Sequence, residues 1–299
     1  MSIFKKNKKS DLYLSDKPPL TPLGKIGLGL SYIVLIFWTG IILWPLSKLV
    51  ISSFNGEQGK YLILNGGFSF SLKHFEHLLK NTLYLTWMKN TIFISCVTAI
   101  ITVLVVSFTG YAYSRYRFKG KRISLMGIML IQTIPTFVGI VAYFTMQSII
   151  ESLFPGFTRQ MMLILIYTGG GIAGNTFILK GYLDSISPEL DDAARIDGCS
   201  NMKIYRLIIM PIARPMLAII ALWSFIGPFM DYLLPKVLLT NPSDYTLAAG
   251  LFTLTNDVRT MNEPAFAAGA LLTAIPIVIM FLALQKHLVA GLSSGATKG

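Results

Sequence analysis

The sequence is poor in charge. Only 13% of its 299 residues are Asp, Glu, Lys or Arg, whereas 53% are hydrophobic; soluble domains have about 25% charged residues. Such a chain cannot cover its surface with polar groups in water, but it needs no such cover in a bilayer. The net charge of +12 comes from short basic runs between long apolar stretches, and not from one basic face as in a nucleic-acid-binding domain. The composition indicates an integral membrane protein without a nucleic-acid partner.

Residues that support enzyme chemistry are equally scarce. The sequence has two cysteines, Cys96 and Cys199, which cannot form a disulfide framework or a metal-ligand set. Its three histidines, His74, His77 and His287, provide one close pair without a third ligand in reach. The phosphate-binding motif GxxxxGK[ST] is absent, so the chain is not an ATPase. We therefore expect no catalytic residue, metal or cofactor on this chain.

Long uncharged runs dominate instead. A helix that crosses a bilayer needs about 20 apolar residues. Five runs reach that length: 26–47, 90–114, 123–150, 160–179 and 264–285. A shorter run, 215–230, suffices only if Asp231 lies inside the span or at its end. Pro135, Pro228 and Pro276 are expected to kink their helices, and Pro228 marks the fifth helix as the one to break near its outer end. The sequence predicts an all-α integral membrane protein with six transmembrane helices.

The distribution of Lys and Arg predicts the orientation. With six spans both termini lie on one side, and the segments on that side hold 18 basic residues against 8 on the other. Cytoplasmic segments carry the basic excess, which predicts the N-in/C-in arrangement in the cell membrane. The N-terminus is too polar for a signal peptide. The predicted organisation is a cytoplasmic arm (1–25), a first transmembrane helix with an outer loop (26–84), a transmembrane core (85–289) and a cytoplasmic tail (290–299).

The loop between the fourth and fifth spans, residues 185–215, reads as two short helices joined by a glycine turn. Ser187 is typical of a helix cap, and Gly198 is typical of a left-handed helix stop. Ser200 is expected to cap a second helix that runs to Pro211. From these residues alone, the hairpin fits either a plug for a groove in a partner protein or an amphipathic hairpin on the membrane surface.

This loop resembles the EAA loop of binding-protein-dependent ABC permeases, whose pattern is E-A-A-x-x-x-G, nine residues, then I-x-L-P. The matching positions are Asp192, Ala193, Ala194, Gly198, Ile208, Met210 and Pro211, with Asp197 before the glycine as in sugar permeases. Asp192 replaces the usual glutamate and Met210 the usual leucine. The resemblance implies the type I ABC importer permease fold.

The resemblance also implies partners. In this family two different permease subunits pair, two copies of a cytosolic ATPase subunit bind beneath them, and an extracytoplasmic binding protein delivers sugar. ATP and Mg²⁺ would bind the ATPase, and this chain would contact membrane lipid and a longer permease subunit. The EAA helix would insert into a cleft on the ATPase. The residues implied at this joint are Asp192, Ala193, Ala194, Asp197, Gly198, Ile208 and Pro211.

Two further segments, 243–252 and 266–299, resemble the shorter permease subunit of maltose and maltodextrin importers. This implies an oligosaccharide of that class as the transported sugar, held mainly by the longer subunit. It also implies that the tail reaches the ATPase and that the outer loop between the last two spans enters the sugar cleft of the binding protein. The outer-loop residues concerned are Asn256, Asp257, Arg259 and Met261.

Other functions stay open. A secondary transporter would want ion-coupling carboxylates in several spans, whereas only Asp231 lies in or near one. A membrane-embedded enzyme would rest on the His74-x-x-His77 pair, and a permease for another class of sugar is a third alternative. Four polar residues could line a transport path or equally join helices: Gln132, Thr133, Asn175 and Asp231.

Overall fold

The computed structural model describes residues 21–57, 59, 67–256 and 261–296. Its helices are α1 (Pro22–Phe54), α2 (Lys73–Asn81), α3 (Tyr84–Arg115), α4 (Lys121–Gln132), α5 (Ile140–Leu153), α6 (Arg159–Asp184), α7 (Glu189–Ile196), α8 (Asn201–Ile204), α9 (Met210–Met230), α10 (Leu233–Leu238), α11 (Leu247–Asn256) and α12 (Glu263–Ala296). One turn of π-helix, Tyr205–Ile209, joins α8 to α9. No strand occurs in these ranges, which confirms the all-α prediction.

The chain divides into two compact units, residues 1–51 and 52–299. In the first unit, α1 is a long apolar helix that starts at Pro22, before the predicted start of the span. In the second unit, α3 packs against both α6 and α9, and α12 packs against α9 with the short helices α2 and α11 beside it. This second unit contains both candidate sites.

Among the described residues, five helical stretches are long and apolar enough to cross a membrane: Pro22–Phe54, Tyr84–Arg115, Arg159–Asp184, Asn201–Met230 and Glu263–Leu288. The predicted third span, 123–150, is not one helix, because α4 ends at Gln132 and α5 begins at Ile140. Pro135 causes the break, since it lacks an N–H and its ring clashes with the preceding turn. The count of six membrane crossings stays a prediction.

The fifth predicted span gains its length at its inner end. The helix is continuous from α8 through the π-turn to Met230, so it extends well before the uncharged run begins. It ends one turn after Gly227, and α10 follows after Asp231. The break predicted near Pro228 therefore lies just beyond that residue.

Two clusters of buried apolar side chains hold the second unit together. One lies at the end of the bundle that carries residues 185–200 and includes Leu179, Leu183, Ala194 and Ile209. The other lies towards the opposite end and includes Trp87, Leu238 and Leu254. We call these the EAA-loop end and the outer end of the bundle.

Candidate functional site

The first helix of the EAA loop, α7, is preceded by a serine whose side chain bonds to the first residue of the helix. The Ser187 Oγ accepts a hydrogen bond from the Glu189 N–H at 3.3 Å, while Pro188 occupies the cap position itself and has no side-chain capping bond. Glu189, Asp191 and Asp192 follow in the first turn, where negative charge is favoured by the helix dipole. This short helix therefore has a well-defined start.

The glycine turn after α7 has the predicted left-handed geometry. Gly198 has φ of +79°, a region that is costly for residues with a Cβ. The Gly198 N–H donates to the Arg195 carbonyl at 3.0 Å, and the Cys199 N–H donates to the Ala194 carbonyl at 2.9 Å. This pair of bonds is a Schellman motif, and it fixes the angle between α7 and the next helix.

The second helix of the loop differs from the prediction. Ser200 occupies the cap position, but its side chain makes no capping hydrogen bond. The helix does not end at Pro211, because the π-turn Tyr205–Ile209 lies immediately before α9 and the helix continues into the membrane. A π-turn shifts the local hydrogen-bond register, which accommodates a residue that cannot donate. The second helix of the EAA loop and the fifth span thus form one continuous helix that begins at residue 201.

A buried ion pair holds α7 against the bundle. Arg115, the last residue of α3, places its Nε 2.6 Å from the Asp191 Oδ2, and the two side chains are 7% and 4% exposed. The other guanidinium nitrogens of Arg115 donate to the carbonyls of Leu183 and Ile186 at 3.2 and 3.1 Å. Arg115 therefore joins α3, the end of α6 and α7. Sequence reasoning missed this pair, since no local pattern links residues so distant in the chain.

The two faces of α7 have different surroundings. Asp191 and Ala194 are buried on the face that points to the bundle, so the Ala194 methyl packs inside this chain and not against a partner. Asp192 and Ala193 are exposed on the other face, and Ile196 is 87% exposed. The exposed Asp197 ends the helix. Apolar surface left uncovered on a well-anchored helix is typical of a docking surface.

An aromatic cluster holds the π-turn in place. The Tyr205 ring stacks on Phe108 with centroids 4.9 Å apart and lies 5.2 Å from the Tyr111 ring. Its hydroxyl is hydrogen-bonded to the Ser107 hydroxyl at 2.8 Å. Within the same part of the motif, Ile208 is half-buried against the apolar cluster at the EAA-loop end of the bundle. Movement of the EAA loop is therefore linked mechanically to α3.

At the outer end, the segment before α11 is anchored to α3. Trp87 Nε1 donates to the Pro242 carbonyl at 2.8 Å, and Asn90 Nδ2 donates to the Ser243 and Tyr245 carbonyls at 2.8 and 3.1 Å. A Cβ at Gly250 would lie 2.1 Å from the Trp87 ring, so only glycine allows this close packing. Residues 247–252 lie in α11 and are mostly buried in the bundle.

The outer loop that follows α11 is closed at its base. The Asn262 N–H donates to the Leu254 carbonyl at 2.8 Å, and the Asn262 side chain caps α12 by accepting from the Ala265 N–H at 3.1 Å. Asn256 ends α11 and Met261 lies just before Asn262. Asp257 and Arg259 lie outside the described residues. The base of the loop therefore sits on a firmly packed platform.

The four candidate path residues have helix-joining or local bonds. Gln132 Nε2 donates to the Gly170 carbonyl at 3.3 Å and joins α4 to α6. The Tyr167 hydroxyl donates to Asp231 at 3.0 Å and joins α6 to the end of α9. Thr133 and Asn175 bond to carbonyls of their own helices at 2.7 and 2.8 Å. These bonds favour a structural role, although Gln132 also borders a cavity of about 650 Å³ between α4, α5 and α6.

The histidine pair has a structural role. His74 is buried with its Nε2 3.1 Å from the Asn55 carbonyl oxygen, and His77 lies 3.1 Å from the Asn81 side chain. Burial lowers the pKa of His74, and the nearby charges of Lys73 and His77 lower it further, while the bond to Asn55 opposes them. In the part of the chain that the structure describes, no three His, Cys, Asp or Glu residues are grouped to hold a metal ion.

The comparisons with known sequences agree with one another. A family model described as binding-protein-dependent transport system inner membrane component matches residues 108–294. The maltodextrin transport system permease protein MdxG of Bacillus subtilis is 40% identical over 90% of this chain and 95% of its own length. The galactooligosaccharides transport system permease protein GanQ of the same species is 42% identical over 92% and 96%. The maltose/maltodextrin transport system permease protein MalG of Vibrio vulnificus is 31% identical over 90% and 95%.

Solved structures share the fold. A chain of a bacterial ABC transporter involved in the import of the acidic polysaccharide alginate superposes with a TM-score of 0.74 at 21% identity, covering 90% of this chain and 99% of that chain. A structure of the bacterial alginate transporter in complex with an alginate pentasaccharide-bound periplasmic protein gives 0.66 at 16% identity, covering 86% and 92%.

Proposed function

Because the chain belongs to the family of binding-protein-dependent transport system inner membrane components, we propose that it is one permease subunit of an ATP-driven oligosaccharide importer. It is a multi-pass plasma-membrane protein with the type I ABC importer permease fold. In this family the ATPase is a separate chain, so this protein is not the ATPase. With a second, longer permease subunit it would form the translocation pathway, above two copies of the ATPase that bind ATP and Mg²⁺.

The observation that carries the proposal is the outward face of α7. Its anchor is internal and buried, through Asp191 and Ala194, while Asp192, Ala193 and Ile196 are exposed. A helix anchored on one face and open on the other can transmit a push from a partner to the bundle. Because Arg115 ends α3 and the π-turn continues into α9, a shift of α7 would reach two transmembrane helices at once.

The outer loop is proposed to contact the sugar-binding protein. Its base is closed by the bond between the Asn262 N–H and the Leu254 carbonyl, so the described residues on the two sides of 257–260 are held together. A short connection with fixed ends loses little conformational entropy on docking. The polar composition of this segment, with Asn256, Asp257 and Arg259, provides donors and acceptors for a sugar or its carrier.

The C-terminal tail is proposed to contact the ATPase. The backbone of α12 remains helical to Ala296, so the helix includes residues 290–296 of the predicted tail. No proline interrupts the chain after Pro276, which allows the helix to continue. A helical extension would project residues 290–296 in a fixed direction, by about 1.5 Å per residue.

The proposed substrate is an oligosaccharide of the maltodextrin class. Two relatives named for maltodextrin, at 40% and 37% identity, support it. A second candidate is a galactooligosaccharide, since a relative named for that sugar is 42% identical over 92% of the chain. The resemblance assigns most sugar contacts to the longer subunit, so this chain alone does not decide between the two.

The test is ATP-driven uptake by the complete transporter. The chain is reconstituted in liposomes with its partner permease, ATPase and binding protein, and labelled maltodextrins and galactooligosaccharides are supplied in parallel. We expect maltodextrin uptake that requires ATP and disappears when the phosphate-binding lysine of the ATPase is replaced. Uptake of galactooligosaccharides alone would select the second candidate. Uptake driven by an ion gradient without ATP would overturn the proposed function.

A further inference from the structure

A groove with a basic rim lies at the EAA-loop end of the bundle. It has a volume of about 690 Å³ and is bordered by the turn after α3, the first turns of α4 and the last turns of α6. Its floor includes Ile123, Met126 and Met129. These side chains are 77%, 54% and 51% exposed, and their spacing of three places them along one side of α4. We call this the α4 groove.

The rim of the α4 groove carries excess positive charge. Lys121, Arg122 and Lys180 line it. Asp184 compensates Lys180, whose Nζ lies 2.5 Å from its carboxylate. Lys121 donates to the Tyr116 carbonyl at 3.1 Å, a bond that leaves its charge in place, and the Asp184 carboxylate attracts Lys121 without forming an ion pair with it. Among the described residues, no carboxylate forms an ion pair with Lys121 or Arg122.

The groove also lies where a membrane surface is expected. The uncharged run 123–150 begins directly after Arg122, so the boundary between apolar core and headgroups passes through the groove. Basic pockets at this depth between transmembrane helices favour acidic lipid headgroups. The apolar floor favours an acyl chain at the same place.

We propose that the α4 groove binds an anionic phospholipid, with its phosphate against Lys121 and Arg122 and an acyl chain along Ile123, Met126 and Met129. A phospholipid supplies both a negative charge to balance the basic rim and an acyl chain to cover the exposed apolar floor. The alternative occupant of the α4 groove, which the experiment must distinguish from a lipid, is the second permease subunit. The inference requires only that the chain spans a membrane, so it is independent of the proposed sugar and of the ATPase.

The experiment measures which lipid the protein retains. The full chain is placed in nanodiscs that contain equal parts of phosphatidylglycerol and phosphatidylcholine, extracted gently, and its bound lipids are counted by native mass spectrometry. We expect selective retention of phosphatidylglycerol. Lys121→Gln with Arg122→Gln should weaken that retention about 30-fold, the effect of two basic side chains at a membrane surface.

A matched double variant separates a built site from general attraction. Arg117→Gln with Lys119→Gln removes the same charge from the same turn, but neither residue lines the α4 groove, so retention should stay close to that of the unchanged protein. Met126→Ser should weaken retention several-fold with the rim intact. Equal loss in both double variants, equal retention of phosphatidylcholine, or an unchanged Met126→Ser variant would overturn the proposal. A photo-crosslinker at position 126 that captures the second permease in the assembled transporter, and not lipid, would also overturn it.

Discussion

The ion pair between Arg115 and Asp191 determines how firmly α7 is held. The informative perturbation is Asp191→Asn, which keeps the side-chain shape and removes its charge. Arg115 would then stay buried, with its charge facing a neutral amide and its other hydrogen bonds going to the Leu183 and Ile186 carbonyls and the Ser114 hydroxyl. Removal of one partner from a buried pair costs about 3–5 kcal/mol, because the other charge is left without compensation.

The expected effect is local and large. Detachment of α7 from α3 and α6 should become easier by about 150-fold to 5,000-fold in its equilibrium constant. Hydrogen exchange of the amides in residues 189–199 measures this detachment directly. The matched control is Asp192→Asn, one residue away. Asp192 is 67% exposed and pairs with Arg195 on the surface at 2.8 Å, so its loss should change exchange by about fivefold at most.

A rescue variant sharpens the test. Replacing both partners, Arg115→Met with Asp191→Leu, leaves no buried charge and should recover part of the lost protection, although the Leu183 and Ile186 carbonyls lose their donor. The reasoning is refuted if Asp191→Asn and Asp192→Asn give the same exchange in α7. It is also refuted if the double replacement opens α7 as readily as Asp191→Asn does.

Further outcomes follow from other parts of the fold. Gly198→Val should destabilise the turn after α7 by about 1–2 kcal/mol, because φ at this position is positive, and co-purification of the ATPase should fall. An added Cβ at Gly198 meets no atom within 4 Å, so the effect would come from the backbone conformation and not from a clash. An unaffected complex would therefore exclude a role for the backbone geometry of this turn. Acidification should loosen the contact of His74 with Asn55, since its lowered pKa in the folded state means that stability is lost as the pH falls below about 6.5. Hydrogen exchange around these residues should show that pH dependence in the native chain and not in a His74→Gln variant. Shortening 256–261 to a small glycine linker should preserve assembly and basal ATP hydrolysis but lower sugar uptake, and uptake at the native rate would leave this loop a simple connector. Deletion of 295–299 should reduce ATP hydrolysis without loss of assembly, whereas an unchanged turnover rate would remove the tail from the proposed ATPase contact.

Local signals in the sequence were sufficient for the turn after α7. Gly198 has the conformation that a left-handed stop requires, and the Ser187 hydroxyl accepts from the first amide of α7. Both features depend on a few neighbouring residues. Proline was a weaker guide. Pro135 stops a helix, whereas Pro211 lies inside one because the preceding π-turn accommodates it.

Contacts between distant segments could not be read from the sequence. In the sequence, Arg115 is only one of the basic residues that flank a predicted span, and no neighbouring residue indicates an ion pair with Asp191. The inward packing of Ala194 could not be predicted either, because Ala193 and Ala194 are adjacent residues of the same type and the sequence does not show which one faces the bundle. The ion pair of Asp191 fixes the orientation of α7, and this orientation leaves Ala193 exposed and Ala194 buried.

The proposed contact between the outward face of α7 and an ATPase subunit is tested most directly by site-specific crosslinking. A photo-reactive amino acid replaces Ile196, which is 87% exposed on α7, in the assembled transporter. The control carries the same group at Phe68, which is 61% exposed in the outer segment. We predict a crosslinked product with the ATPase from position 196 and none from position 68. Absence of an ATPase product from position 196, or an equal yield from position 68, would contradict the proposed coupling role of α7.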